Sequence, residues 1–160
     1  MGGGRKPATA RVFGTACPKK IEIHLKYLKK LRTPTQMSAL SAAQLLKYSM
    51  TNPPRCVLPR SECVECNYQN FRSKASNMTR FVDQMNEVLG KEQYYFCENN
   101  FPYATEPGIK HMLCWFTHNT PKDFIIEELR KKYDVITCWQ NLPENRSVPA
   151  IEHIHVFIRV

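Results

Sequence analysis

Apolar side chains recur along this chain in two rhythms, a helical one up to Gly90 and a strand-like one beyond it. In residues 19–32, Ile21, Leu25 and Leu28 follow i, i+4, i+7 spacing, and His24 and Leu31 widen the stripe. Lys19, Lys20, Lys26, Lys29 and Lys30 cover most of the remaining surface, which predicts a basic amphipathic helix. Such a stripe can dock on its own domain, on a partner or on an anionic surface; self-docking is the commonest outcome. Pro34 interrupts the pattern. A second helix is expected to start near Ser38 or Ser41, where Ser41 and Gln44 fit a capping box ahead of Leu45 and Leu46. Pro53, Pro54 and Pro59 predict an irregular stretch over residues 51–67. Residues 76–89 then read as a helix with Met78, Phe81, Val82, Met85, Val88 and Leu89 inward, and Gly90 as its left-handed stop.

The second rhythm predicts strands over residues 93–98, 111–117, 135–139 and 153–160. One helix falls among them, with Thr120 as N-cap, Pro121 at its first position, Asp123 near the positive end of the dipole, and Phe124, Ile125 and Leu129 inward. The expected fold class is α+β: a small mixed sheet of about four strands with helices on one face. An extended basic arm (1–18) and the basic helix (19–33) precede a single domain (34–160).

Charge sharpens this division. Residues 1–32 hold Arg5, Lys6, Arg11, Lys19, Lys20, Lys26, Lys29, Lys30 and Arg32 against Glu22 alone, whereas the rest of the chain is nearly balanced. The net +9 therefore belongs to the arm, whose partner is expected to be a polyanion: nucleic acid, anionic lipid or an acidic protein surface. A merely solubilising tail is the plain alternative. No apolar run approaches the roughly 20 residues of a membrane span, and no secretory pattern opens the sequence. Gly2 meets one requirement for myristoylation, but Lys6 stands where Ser or Thr is preferred. Seven cysteines, an odd number, point to reduced thiols and an intracellular compartment, cytoplasm or nucleus.

Three clusters carry candidate chemistry. In residues 153–160, alternation puts His153, His155, Phe157 and Arg159 on one face and Ile154, Val156, Ile158 and Val160 on the other. With His111 from a neighbouring strand, His153 and His155 are candidates for an open metal site or for acid–base catalysis, and Arg159 for anion contact. The plain alternative is hydrogen-bonded structural histidines. Cys63 and Cys66 have the spacing of half a zinc knuckle, with Cys56 upstream and no local fourth ligand, so structural zinc competes with ordinary thiols. The loop with Phe101 and Tyr103 either presents groups to a ligand or plugs the sheet end. Arg146 and Ser147 raise a related choice, between an anion contact and a turn held by polar side chains.

Two runs, Asn100-Phe101-Pro102-Tyr103 through Pro107-Gly108-Ile109-Lys110-His111 to Trp115, and Trp139-Gln140-Asn141 through Asn145-Arg146-Ser147-Val148-Pro149-Ala150-Ile151-Glu152-His153-Ile154-His155-Val156-Phe157, carry a resemblance. They resemble an uncharacterised domain family that includes the fungal N-acetylglucosamine-induced protein 1 and relatives in eukaryotes and large DNA viruses. The resemblance is strongest over residues 92–160 and looser over 38–90. The family's recurrent histidines fall on His111, His153 and His155, but it implies no activity. Gln140 departs from the aromatic that fungal members place there. The basic arm and residues 56–66 have no counterpart in the family pattern, which suits a short viral member with an added docking task.

The leading expectation is a non-catalytic interaction protein, its domain tethered by the arm to a larger protein assembly such as the capsid of a large DNA virus. One alternative is a histidine-based enzyme, with zinc as its candidate metal, acting on a phosphorylated or sugar-like metabolite. The other is nucleic-acid binding through the arm.

Overall fold

The computed structural model describes residues 38–160. The expectations for the arm and the basic helix, including Arg5, Lys6, Arg11, Lys19, Lys20, Lys26, Lys29, Lys30 and Arg32, lie outside the described residues.

Helix α1 (Ala42–Leu45) opens with the expected capping box: Ser41 Oγ accepts from the Gln44 N–H at 3.2 Å, and Gln44 Oε1 accepts from the Ser41 N–H at 2.9 Å. Helix α2 (Glu62–Arg72) begins inside the stretch expected to be irregular and takes its last six residues, while residues 51–61 are irregular as expected. The prolines end at Pro59; Ser61 then caps the Val64 N–H, Glu62 and Glu65 stand at the positive end and Arg72 at the negative end. None of its residues is fully buried, so it lacks the apolar stripe that would have announced it. Helix α3 (Ala75–Leu89) follows, and its C-cap Gly90 is right-handed (φ −71°), not the left-handed stop expected. Positive φ falls instead on Gly108 (84°), in the turn entering β2, where the Val160 N–H bonds the Gly108 carbonyl at 2.9 Å.

The strands are β1 (Tyr94–Glu98), β2 (Ile109–Phe116), β3 (Asp134–Trp139) and β4 (Glu152–Arg159). Helix α4 (Lys122–Lys132) precedes β3, with Pro121 in the cap position. The expected cap, Thr120, instead donates its hydroxyl to the Gln93 carbonyl at 3.1 Å. The sheet order is β1-β2-β4-β3, so the last strand lies at the centre. The α+β class and the four strands are as expected. Two details differ. All three strand pairings are antiparallel, and among the described residues the one parallel contact is an isolated bridge between Leu40 and Thr105. The helices also lie on both faces of the sheet.

Alternation along β4 explains the second difference. Ile154, Val156 and Ile158 pack with Met112, Cys114 and Phe116 of β2 and with Ile125, Ile126 and Leu129 of α4. On the opposite face Phe157 and Trp139 meet Leu45 of α1, Leu58 and Tyr103, while Trp115 meets Met85 of α3. A sheet with large apolar groups on both faces exposes one of them unless each is covered. A bulge between Val135 and Thr137 shifts β3 by one residue, bringing Trp139 opposite His155.

Candidate functional site

The histidine face of β4 is as its alternation predicts, but it is sealed. His111, His153 and His155 are 4%, 3% and 5% exposed. Strand register sets His155 opposite Leu113 and His153 opposite Trp115, with His111 diagonal to His155. The His111 and His155 rings come together, Nε2 to Nδ1 at 2.8 Å. The Tyr103 backbone N–H donates to His111 Nδ1 at 2.9 Å. That bond fixes the proton of neutral His111 on Nε2, which donates to His155 Nδ1, so neutral His155 carries its own proton on Nε2. This last N–H is buried and without a protein partner among the described residues. His153 is separate: its Nδ1 lies 3.1 Å from the Ile151 carbonyl and must donate to it.

Aromatic rings enclose the pair. Tyr103 stacks on His111 and His155 with centroids 4.7 and 5.6 Å apart, and Phe157 stacks on His111 at 4.4 Å. Tyr103 thus plugs the sheet end. Burial pushes the His111 pKa down to about 3, helped by the charge of Arg60. Burial likewise holds His155 well below the usual imidazole value, with smaller contributions from His111, His153 and Arg60. Burial lowers His153 and raises the Tyr103 phenol. All three imidazoles are therefore neutral at pH 7.

This arrangement does not fit a metal. The facing nitrogens of His111 and His155 are spent on each other, and His153 turns to a carbonyl. Arg159 does not join them: it is exposed at the end of β4 and pairs with Asp134 at 3.3 Å. The cysteine set is no better gathered. Helix α2 places Cys63 and Cys66 a turn apart in solvent, near Asn67 and Asn70 respectively, and Cys56 is exposed in the preceding loop. Among the described residues no three His, Cys, Asp or Glu side chains converge to hold a metal ion.

Arg146 does hold a turn. Its Nε donates to the Asn141 carbonyl at 3.1 Å, and a terminal nitrogen pairs with Glu152 at 3.3 Å. Asn141 is the hub between this turn and the aromatic stack: its side-chain oxygen accepts from Trp139 Nε1 at 3.0 Å, and its carbonyl accepts from Arg146. Arg60 approaches the same stack, 5.0 Å from the Tyr103 ring centre. The place of Arg60 is not visible in the sequence, because it depends on contacts between distant segments.

No protein-family model and no curated protein matches the chain. Among solved structures, the crystal structure of HTC1 is similar over 64% of this chain and 76% of that one, at 20% identity and a TM-score of 0.49.

Proposed function

We propose that the protein is a non-catalytic interaction module, a rigid α+β domain tethered through residues 1–32 to a larger assembly. The observation that carries this reading is the sealing of His111, His153 and His155 in neutral, hydrogen-bonded positions, while the cationic excess sits in the arm. A catalytic base needs to reach substrate with a pKa near the working pH, and these rings meet neither condition. The capsid of a large DNA virus is the assembly that the family resemblance favours. The six free thiols among the described residues suit a reducing compartment. No helix among those residues is long and apolar enough to cross a membrane.

Lysine cross-linking of the full-length protein in its native extract tests the reading. Cross-links to neighbouring protein chains are expected to concentrate on residues 1–32 and to survive nuclease. A chain in which Lys19, Lys20, Lys26, Lys29 and Lys30 are changed to Gln should lose the association. Loss on nuclease treatment instead supports nucleic-acid binding, and cross-links confined to the domain refute tethering by the arm. Family membership has its own test: a fungal member should share the strand order β1-β2-β4-β3 and the bonded histidine pair.

A second reading, a histidine-based enzyme, draws on the unpartnered Nε2 of His155. It requires the Tyr103 plug to move. Unchanged turnover of phosphorylated or sugar-like substrates in His155→Gln would dispose of it.

A further inference from the structure

Between α2 and the turn 143–147 lies a cleft of about 420 Å³, within the range of small-molecule sites. Arg60, Arg72 and Arg146 line it together with Tyr68, Asn145 and Ser147, and the carboxylates of Glu65 and Glu144 share its wall. Two of the guanidiniums are held rigidly. Arg60, whose side chain is 8% exposed, donates from Nε to the Phe101 carbonyl at 2.9 Å and from one terminal nitrogen to Glu65 at 3.2 Å. It also lies over the Tyr68 ring, 4.1 Å from its centre. Arg146 has the same pattern, with Asn141 and Glu152 as its partners.

In both residues Nε and one terminal nitrogen take part in these bonds, which leaves the second terminal nitrogen with two N–H groups beyond them. Arg72 forms no salt bridge among the described residues. Three arginines line one concave site, two of them pre-positioned with a terminal nitrogen still to satisfy, which suits a tetrahedral oxyanion that accepts several charge-assisted hydrogen bonds. The charge selects among anions. Glu65 and Glu152 already offset Arg60 and Arg146, and Glu144 stands in the wall, so a ligand must displace these carboxylates from the arginines and bring dense negative charge to do it. A phosphomonoester, with a charge of roughly −1.5 to −2 at pH 7, does so where a single carboxylate does not. The volume exceeds what a bare phosphate fills, and Glu144, Asn145 and Ser147 offer partners for hydroxyl groups.

We propose that this cleft binds a small, hydroxyl-bearing phosphomonoester, with Arg60, Arg72 and Arg146 gripping the phosphate. The residues assigned to this site are neither the buried histidines nor the lysines of residues 1–32, so it is tested independently of the tethering function.

The test is titration of the full-length protein with glycerol phosphate, inorganic phosphate and acetate in physiological salt, followed by amide chemical shifts. Glycerol phosphate is expected to bind saturably, with the largest shifts at Arg72 and Ser147, and acetate not to bind. Arg72 is exposed, so Arg72→Ala should keep the wild-type melting temperature and weaken binding about tenfold or more, the loss of a charged hydrogen-bonding group. Arg146→Lys, which keeps the charge but cannot hold Asn141 and Glu152 while also donating to the ligand, should weaken it comparably. The full-length chain with the five arm lysines changed to Gln should bind as wild type does. Non-saturable binding, equal affinity for acetate, an Arg72→Ala affinity equal to wild type, or loss of binding in the arm variant would each overturn the proposal.

Discussion

A neutral imidazole has one proton to place, and at His111 the Tyr103 backbone N–H decides where it goes. The consequence passes through the 2.8 Å bond to His155, so both rings should be Nε2–H tautomers and His153 the opposite one. Nitrogen-15 spectra of the imidazoles at pH 7 check this directly; an Nδ1–H signal from His111 would contradict the geometry. The same burial makes stability depend on acid. The folded pKa of His111 is about 3 and that of His155 lies well below 6.5, whereas both sit near 6.5 when unfolded. Above that value neither state binds these protons, and the stability is complete. As pH falls below it, the unfolded chain takes up protons that the folded protein refuses, and stability declines by about 1.4 kcal/mol per pH unit for His111, with a contribution of the same sign from His155. Urea unfolding at pH 5 should therefore show a loss of about 2 kcal/mol from His111 relative to pH 7.5, and a further loss from His155. In His155→Phe that further part of the dependence should vanish. An unfolding free energy flat across this range would remove the case for buried neutral rings.

At the scale of elements, legibility followed burial. Strand β4 could be read because residues 154–158 face α4 and the aromatic stack in turn, and period-two alternation records that choice. The capping box at Ser41 was legible because both partners lie within one turn. Helix α2 was not, because its aromatic members Tyr68 and Phe71 both pack on the single ring of Phe101 and leave no continuous stripe. The side of the sheet on which a helix packs was equally hidden, since Met85 of α3 and Trp115 of β2 meet across 30 positions of sequence. For the site, the sequence placed His153 and His155 on the correct face but could not show that Tyr103 covers His155 while His153 lies against Trp115. The contrast between exposed α2 and buried strands predicts cysteine reactivity. Cys56, Cys63 and Cys66 should be alkylated rapidly in the native protein, while Cys114 and Cys138 react only on unfolding. Burial pushes the Cys114 thiol up to about 12, which slows it further. Mass spectrometry of a timed labelling series reads the order, and equal rates at Cys63 and Cys114 would contradict the packing.

At the scale of the whole domain, the two central strands join what would otherwise be three separate cores. Strand β4 contributes Ile154, Val156 and Ile158 to the cluster under α4 and Phe157 to the cluster around Trp139, while β2 carries Trp115 into the cluster under α3. Unfolding one cluster strips a face from strands that the others need, so residues 38–160 should unfold in one step. The two tryptophans provide local reporters, both nearly inaccessible, in different clusters. With Trp115→Phe leaving Trp139 as the fluorophore, and Trp139→Phe leaving Trp115, each variant's fluorescence transition in urea should coincide with its own far-ultraviolet circular dichroism transition. A truncation at the centre should act on both clusters: Ile154→Ala, at a fully buried position, should cost about 3 kcal/mol and lower both midpoints together. Should Trp115 report a separate, earlier transition, α3 and its cluster would be an independently melting cover, and the sheet would no longer bind the three cores into one cooperative unit.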